Sequence, residues 1–511
     1  MIARFAGLLA ITAGLMAPMF PAAVAAATRH AGDTVREQAT ATAIDGSTMA
    51  YEIGTLYVPE NRDTAGSRLI AVGYARVRAL HPTGAPPVFL LAGGPGVTML
   101  DIVLGRDDTS RRRVKAWQAY GDVADLVILE QRGYTLRGER MEIDTAQLPL
   151  DRPMTTAQDI AATRDLARRA QAAFPAADLS GYSIAALADD VDDLRRALGY
   201  EKVSLMAASF GSQWAFAYLK RHPGVVARAV IAATEPLDGG YDMPSQVFAA
   251  FERLAVEANR DAGLARYLPA GGLIAAIRAT RDRFAKGPVT VSLEDESGHT
   301  RRVVLGLEDY QYALIANSAN AADFPRFVLS AYHGHFDEWA REAIEWRAPG
   351  KQPLINPLIN IGIDMSAAKK AQLRGDPELP VIGSWNFAAY LATKGEWPTP
   401  DAGDDLRKPV IDPTPVVFVH GDWDTSTPMD NTLEMQRYFP NSRTILVHRA
   451  QHNGAFALLR SRPAVASRVY DFLRDGRMEN IPTEVSLDPV VFAQPSFSPP
   501  GNETGAAGAR L

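Results

Sequence analysis

KVSLMAASFGSQWAFAYLKR, residues 202–221, is the stretch that decides the fold. Its residues 203–206 form an apolar run typical of a buried strand, and residues 213–220 have helical spacing. The small-residue turn between them, AASFG, is centred on Ser209. A strand, a tight turn and a helix are the context in which a G-x-S-x-G pattern presents a serine hydroxyl at the carboxyl edge of a sheet. Ala207 stands where glycine is usual, and an ordinary serine in a strand-to-helix turn is the alternative.

A second serine fits the same loose pattern but lacks this context. GYSIA, residues 181–185, follows the segment AFPAADLS, which has none of the features of a strand. We therefore exclude Ser183 as the nucleophile.

Composition limits the class of protein. The chain has 511 residues, of which 47% are hydrophobic and 22% charged, as expected of a globular protein with a large core. The net charge of −6 and the lack of long basic runs exclude nucleic acid as a partner. There is no cysteine, which excludes disulfides, thiolate metal sites and a lipoprotein anchor. We predict no metal and no cofactor.

The first residues are typical of an export signal. Arg4 precedes the apolar run 5–17, and Pro18 and Pro21 end that run. Small residues then offer cleavage after Ala25 or Ala27. We predict a signal peptide over residues 1–27, export to the periplasm or the extracellular space, and no stable membrane insertion after cleavage. An uncleaved membrane anchor, as in a membrane-bound interaction protein, is the alternative.

Several short apolar runs predict an α/β fold. Continuous apolar strands are typical of a mostly parallel sheet with helices on both faces. The predicted strands are 48–58, 67–79, 87–91, 126–129, 203–206, 229–233, 415–419 and 443–448.

The regular alternation of strands and helices is interrupted once. We predict a core in two parts, residues 28–236 and 410–480, with an inserted, mainly helical cap over 237–409 that contains a hairpin of 289–293 with 302–305. A separate domain is the alternative to a cap. Residues 481–511 form a C-terminal extension that is predicted to be disordered from Gln494 because it is rich in Pro, Gly and Ala.

The chemistry is expected at the ends of the strands. A serine hydroxyl needs a base to take its proton, and the base needs a third group to orient it. Asp424 and His452 each follow an apolar strand, so both are delivered to the sheet edge that carries Ser209. Asp422 is a rival for the acid. His448 lies within a strand and His420 precedes the acid, so His452 is favoured as the base.

An oxyanion hole needs two backbone donors. The amide of Phe210, directly after the serine, is one candidate. The other is expected in the loop GGPG, residues 93–96, where Gly93 and Gly94 let the backbone approach the substrate closely. An ordinary turn is the alternative for this loop.

These motifs together carry a family resemblance: GGPG at 93–96, EQRG at 130–133, DVDDLRRALG at 190–199, AASFGS at 207–212, GDWDTSTP at 421–428, and His452. The chain resembles the α/β-hydrolase superfamily and, within it, the prolyl and tripeptidyl aminopeptidase branch of serine peptidases. The resemblance implies an α/β-hydrolase fold with a substrate-selecting cap. It also implies these roles: Ser209 as nucleophile, Asp424 as acid, His452 as base, and Gly94 and Phe210 as oxyanion donors.

Three departures from the family pattern weaken the expectation of peptidase specificity. Glu130 opens a segment that begins with Asp in the family, and Thr135 and Arg137 follow where Gly and Ser are usual. Leu91-Ala92 precedes the GGPG loop where many relatives carry His or Asn, and Ala207 begins the serine turn.

We therefore expect an exported serine hydrolase that acts through an acyl-enzyme, with a small peptide or ester as substrate. An aminopeptidase must bind a free ammonium, and Glu235, Asp238 and Asp242 are the candidate carboxylates. Acidic residues after a strand also occur simply in solvated loops. A carboxylesterase of small acyl esters is the first alternative, and a catalytically silent binding protein on a hydrolase scaffold is the second.

Overall fold

The computed structural model describes residues 28–500 apart from residues 82, 295–297 and 386. The predicted signal peptide and the last residues of the predicted disordered tail, 501–511, therefore lie outside the described residues. The same holds for most of the turn of the predicted hairpin.

A ten-stranded sheet organises the described part of the chain. Its strand order is β1-β2-β3-β5-β4-β7-β8-β12-β13-β14. The strands from β5 to β14 in this order run parallel, and β1, β2 and β3 join them by antiparallel pairing. The predicted α/β class with a mostly parallel sheet is confirmed. Its strands are β1 (Thr34–Thr42), β2 (Thr48–Pro59), β3 (Leu69–Val77), β4 (Val88–Leu91), β5 (Leu126–Leu129), β7 (Val203–Ser209), β8 (Val226–Thr234), β12 (Val416–Gly421), β13 (Ser442–His448) and β14 (Glu484–Ser486).

Two small antiparallel sheets complete the strands. One is the hairpin of β9 (Val289–Glu294) with β10 (Thr300–Leu305), where the sequence predicts it. The other pairs β6 (Glu142–Thr145) with β11 (Gly350–Pro353), so it ties the first part of the core to the inserted segment.

Helices cover both faces of the sheet and build most of the insertion. Those of the core are α1 (Leu100–Leu104), α2 (Asp108–Gln118), α3 (Thr156–Ala173), α4 (Ile184–Ala197), α5 (Phe210–Arg221), α16 (Met429–Gln436), α17 (Gly454–Ser461) and α18 (Pro463–Asp475). Those between β8 and β12 are α6 (Pro244–Ala258), α7 (Gly272–Phe284), α8 (Leu307–Ser318), α9 (Phe324–His333), α10 (Asp337–Trp346), α11 (Ile355–Ile363), α12 (Ala367–Arg374), α13 (Leu379–Ile382), α14 (Ala388–Thr393) and α15 (Asp404–Arg407).

The central strands are buried on both faces because their side chains alternate between two cores. In β4, Phe89 and Leu91 belong to one hydrophobic cluster and Val88 and Leu90 to the other. A strand between two helix layers has no solvent-facing side, which is why its sequence is continuously apolar.

The inserted segment divides between two cores. Its first part, through α10, forms a cluster of its own around aromatic residues such as Phe251, Tyr310 and Trp339. Helix α11 instead contributes Ile355 and Leu358 to the cluster beneath the sheet. The segment is therefore anchored in the core of the sheet as well as in a core of its own.

The C-terminal extension packs on the insertion up to the end of the described residues. Phe492 joins the cluster of the insertion. The ring of Phe497 stacks on His335 with centroids 3.8 Å apart, and its carbonyl accepts a hydrogen bond from Tyr267. The beginning of the tail for which the sequence predicts disorder is thus fixed by aromatic contacts.

Among the described residues, we find no helix that is both long and apolar enough to cross a bilayer.

Candidate active site

Ser209 lies in a strained turn between β7 and α5. Its φ of 58° and ψ of −136° are unusual for a residue with a side chain. A strained backbone at this point is typical of a serine that is presented for reaction. Gly211 is required because a Cβ there would lie 2.3 Å from the carbonyl oxygen of Leu91. At Ala207 the methyl group is buried without disrupting the strand.

Asp424 and His452 meet beyond the ends of β12 and β13. The His452 Nδ1 lies 3.0 Å from Asp424 Oδ2 and 3.1 Å from Oδ1. The carboxylate is 1% exposed, whereas the imidazole is 28% exposed. A buried carboxylate on Nδ1 fixes the orientation of the ring and leaves Nε2 for another partner.

Thr427 completes the support of this pair, and sequence reasoning missed it. Its hydroxyl donates to Asp424 Oδ2 at 2.7 Å and lies 3.2 Å from His452 Nδ1. The backbone amides of Ser426 and Thr427 donate to Asp424 Oδ1 at 2.9 and 3.0 Å. The sequence signal was present in DTSTP, where Asp424 is followed by three hydroxyl side chains just before α16 begins.

The charges of the pair stabilise each other. Burial opposes ionisation of both groups, but the attraction between them outweighs it. The pKa of Asp424 is therefore held below its ordinary value. The pKa of His452 is raised above its ordinary value by Asp424, with Glu235 and Asp242 contributing.

The rival residues lie in other contacts. Asp422 accepts a hydrogen bond from His448 Nδ1 at 2.8 Å, which makes a second Asp–His pair beside the first. His420 is fully buried, with its Nε2 2.7 Å from the carbonyl oxygen of Thr427. Burial lowers the pKa of His420, so it supports the acid loop as a neutral group.

The GGPG loop lies against the serine turn. A Cβ at Gly93 would come within 3.3 Å of both the Ala208 carbonyl oxygen and the Ser209 Cβ. Gly94 has a φ of +109°, which favours glycine. Phe210 is the first residue of α5, so its amide has no partner within the helix and lies at the positive end of the helix dipole. These are the two predicted oxyanion donors.

Two buried side chains hold the GGPG loop from either side. The Gln131 amide donates to the Gly93 carbonyl at 2.9 Å and accepts from the Gly96 amide at 2.7 Å. Asn356 on α11 donates to the Pro95 carbonyl at 3.0 Å and accepts from the Tyr390 hydroxyl at 2.9 Å. The loop is therefore fixed by the EQRG segment and by the insertion together.

The rest of the EQRG segment is structural. The Glu130 carboxylate accepts from the hydroxyl of Thr135 at 2.6 Å and from the amide of Leu136 at 2.7 Å. Arg132 binds Asp190 through two hydrogen bonds of 2.8 and 2.6 Å, and both side chains are buried. Glu130 and Thr135, two of the residues that depart from the family pattern, are therefore hydrogen-bonded to each other.

Of the predicted carboxylates, Glu235 and Asp242 lie at the site and Asp238 does not. Glu235 lies within electrostatic range of Ser209, Asp424 and His452. Burial raises the pKa of Glu235 to about 7, and it raises the pKa of Asp242, which Glu235 and Asp424 also repel. Asp238 instead accepts from the amide and the hydroxyl of Ser366 at 2.7 and 2.8 Å, at the start of α12.

One cavity of about 1170 Å³ connects the reactive groups. It is lined by Ser209, His452, Gly93 and Gly94. In the described part of the chain, no group of three or more His, Cys, Asp or Glu side chains is arranged to hold a metal ion. The site contains the kinds of group that are required to activate a serine hydroxyl through an imidazole and to stabilise an oxyanion with backbone amides.

A family model identifies the fold of the chain. Residues 86–457 match a family model described as alpha/beta hydrolase fold. No curated protein sequence matches the chain. An esterase from Thermogutta terrifontis is similar to it at 14% identity and a TM-score of 0.33, over 83% of this chain and 99% of that one. A serine hydrolase from Cycloclasticus zankles is similar at 12% identity and a TM-score of 0.35, over 83% and 99%. An esterase from Exiguobacterium antarcticum is similar at 12% identity and a TM-score of 0.34, over 82% and 99%.

Proposed function

The chain belongs to the α/β-hydrolase fold family, and on this premise we propose that it is a serine hydrolase that removes residues from the N-termini of small peptides. One observation carries the proposal: His452, paired with the buried Asp424, lines the same cavity as Ser209, and the carboxylate of Glu235 lies within electrostatic range of both. The pair supports proton transfer from the hydroxyl, and the carboxylate supports recognition of an ammonium group.

In the proposed reaction, neutral His452 takes the Ser209 proton while the hydroxyl oxygen attacks the first carbonyl carbon of the peptide. The amides of Gly94 and Phe210 stabilise the oxyanion that forms. The C–N bond breaks, and the imidazolium returns its proton to the departing amine. A water molecule, deprotonated by His452, then hydrolyses the acyl-enzyme and releases the first residue.

Two carboxylates within electrostatic range of His452 support specificity for a free amine. Glu235 and Asp242 are partly buried, and removal from water raises the pKa of each. An ammonium group bound between them would stabilise their ionised forms and replace the lost hydration. A neutral, acetylated N-terminus could not supply that compensation.

The second candidate function is that of a carboxylesterase. The apolar side chains of Leu90 and Met206 line the cavity together with Ser209, and such a surface suits the acyl chain of an ester. The proposed catalytic groups would serve both reactions.

The test compares an alanyl arylamide, its N-acetylated form and an aryl acetate as substrates of the whole chain. The proposal predicts that acetylation lowers kcat/KM of the arylamide by at least about tenfold, because a charged partner of a buried carboxylate is lost. Equal hydrolysis of the free and acetylated arylamides would contradict the aminopeptidase proposal. Hydrolysis of the aryl acetate alone would favour the carboxylesterase.

We also propose that the protein is exported after cleavage of its first residues. The apolar run of residues 5–17 and the small residues around Ala25 support this. N-terminal sequencing of secreted or periplasmic material should give a start between Ala26 and Thr28. A chain that keeps Met1 would contradict cleavage.

A further inference from the structure

The cavity at Ser209 continues as a groove along one face of the sheet. Helices α2 and α18 form its walls. On each of these helices, residues from successive turns line the groove. Leu90 and Met206 lie on the sheet between them. Met206 precedes Ser209 by three residues of an extended strand, so the groove reaches about 10 Å from the serine.

The far part of the groove is closed by aromatic contact. Tyr120 and Tyr470 both line the cavity, and their rings meet edge to face with centroids 5.4 Å apart. The Tyr120 hydroxyl is also bonded to the sulfur of Met206. The groove is therefore a bounded space beside the serine.

The described lining of this groove does not include the two carboxylates of the proposed ammonium site. None of its described lining residues comes from the insertion between β8 and β12. Glu235 and Asp242, in contrast, lie at the beginning of that insertion. A peptide bound with its amine at Glu235 has the groove available for the residues beyond the scissile bond.

The charge of the groove is positive. Its described lining includes Arg112, Arg113, Lys115, Arg460 and Arg474 against Asp122 and Asp471.

Most of these charges already have partners. Asp471 pairs with Arg474 at 2.5 Å, and Asp122 lies 3.1 Å from His81. Lys115 pairs with Asp45 at 2.7 Å and Arg112 with Asp108 at 3.7 Å.

Arg113 and Arg460 differ from the rest. Neither forms an ion pair within 4.0 Å among the described residues, and both are exposed. Arg113 lies within electrostatic range of Asp101, whose pKa burial raises and Arg113 lowers. A guanidinium binds a carboxylate through two parallel hydrogen bonds, which makes arginine well suited to a terminal carboxylate.

We propose that the groove binds the leaving half of the substrate and that Arg113 and Arg460 bind the free carboxylate at its end. The inference rests on the proposed function and narrows its substrate to short peptides with a free C-terminus. A leaving group of two or three extended residues spans roughly 7–10 Å, which is comparable to the distance along the strand from Ser209 to Met206. A long polypeptide has no carboxylate at that distance.

The test uses two alanine tripeptides, one with a free C-terminal carboxylate and one with a C-terminal amide. The wild-type chain should cleave the acid with a kcat/KM about tenfold higher than the amide, the size expected of a charge-assisted hydrogen bond. This ratio should fall as salt is added, because the arginines are exposed and screened.

The double variant R113A/R460A should bring the acid-to-amide ratio to about one. Hydrolysis of an aryl acetate, which does not reach the arginines, should stay within about twofold of the wild type. Arg468 on α18 is exposed and does not line the cavity, so R468A is the matched control and should keep the ratio.

A wild-type ratio of one, with both tripeptides cleaved, would overturn the groove proposal. An unchanged ratio in the double variant would also overturn it. Failure of the wild type to cleave either tripeptide, with or without hydrolysis of the aryl acetate, would contradict the proposed aminopeptidase function instead, so the two failures are distinguishable.

Discussion

The two flanks of Ser209 carry opposite charge in different environments. On the side of the insertion, Glu235 and Asp242 are partly buried, and their pKa values are raised. On the side of the groove, Arg113 and Arg460 are exposed to solvent. Desolvated charges interact more strongly than exposed ones, which water and salt screen. The comparison indicates that the acidic flank contributes more to substrate selection than the basic flank.

The largest expected effect comes from His452, the proposed base for Ser209. Replacing His452 with alanine should lower kcat/KM by about 10⁴-fold or more for every substrate, because no group would accept the Ser209 proton. The H448A variant removes the histidine of the second Asp–His pair and is the matched control. Steady-state kinetics should find H448A within about threefold of the wild type. A comparable loss in H448A would contradict the assignment of His452.

The next largest effect should lower kcat for all substrates alike, because it acts through the GGPG loop and not through the charged residues of either flank. Q131A removes the side chain that bridges the Gly93 carbonyl and the Gly96 amide. We expect kcat to fall about 10- to 100-fold with KM nearly unchanged, somewhat less than the loss of an oxyanion donor itself. Q118A, on the surface end of α2, is the control. A rise in KM alone would show that Gln131 does not position the loop for the reaction.

A smaller effect should come from the acidic flank alone and should depend on the substrate. E235Q keeps the shape of the side chain and its hydrogen-bonding capacity but removes its charge. We expect kcat/KM of an alanyl arylamide to fall about tenfold at pH 8, while hydrolysis of an aryl acetate stays within about threefold. D238N is the matched control because Asp238 is bonded to Ser366 away from the site. Equal loss for both substrates in E235Q would contradict a role in binding the amine.

The smallest expected effect is a shift in pH dependence. Neutral His452 is the active base, and its raised pKa means that activity increases as the pH rises through a value above the ordinary 6.5. Glu235 contributes to this rise by stabilising the imidazolium. The acid limb of kcat/KM for an aryl acetate should therefore move to lower pH in E235Q and stay in place in R113A. A shift to higher pH would contradict the electrostatic account.

Much of the fold could be predicted because buried parallel strands leave a strong pattern. The runs at 87–91, 126–129 and 415–419 are apolar throughout, as strands between two helix layers must be. Edge strands lack this constraint. The polar β1 (Thr34–Thr42) and the three-residue β14 (Glu484–Ser486) were therefore missed.

The part of the site that follows from topology could also be predicted. Residues just beyond parallel strands share one edge, so Ser209, Asp424 and His452 could be placed together without coordinates. Contacts between distant segments leave no such signal. The bond from Asn356 to Pro95 joins positions 261 residues apart, and nothing in a loop distinguishes Asp242, at the site, from Asp238, which binds α12.

The most direct test is to treat the chain with a fluorophosphonate and locate the adduct by mass spectrometry. The account predicts one covalent adduct on Ser209, its loss in S209A, and its retention in S183A, which alters the serine of the similar GYSIA pattern. An adduct that persists in S209A, or no adduct on the wild-type chain, would contradict the claim that Ser209 is the nucleophile.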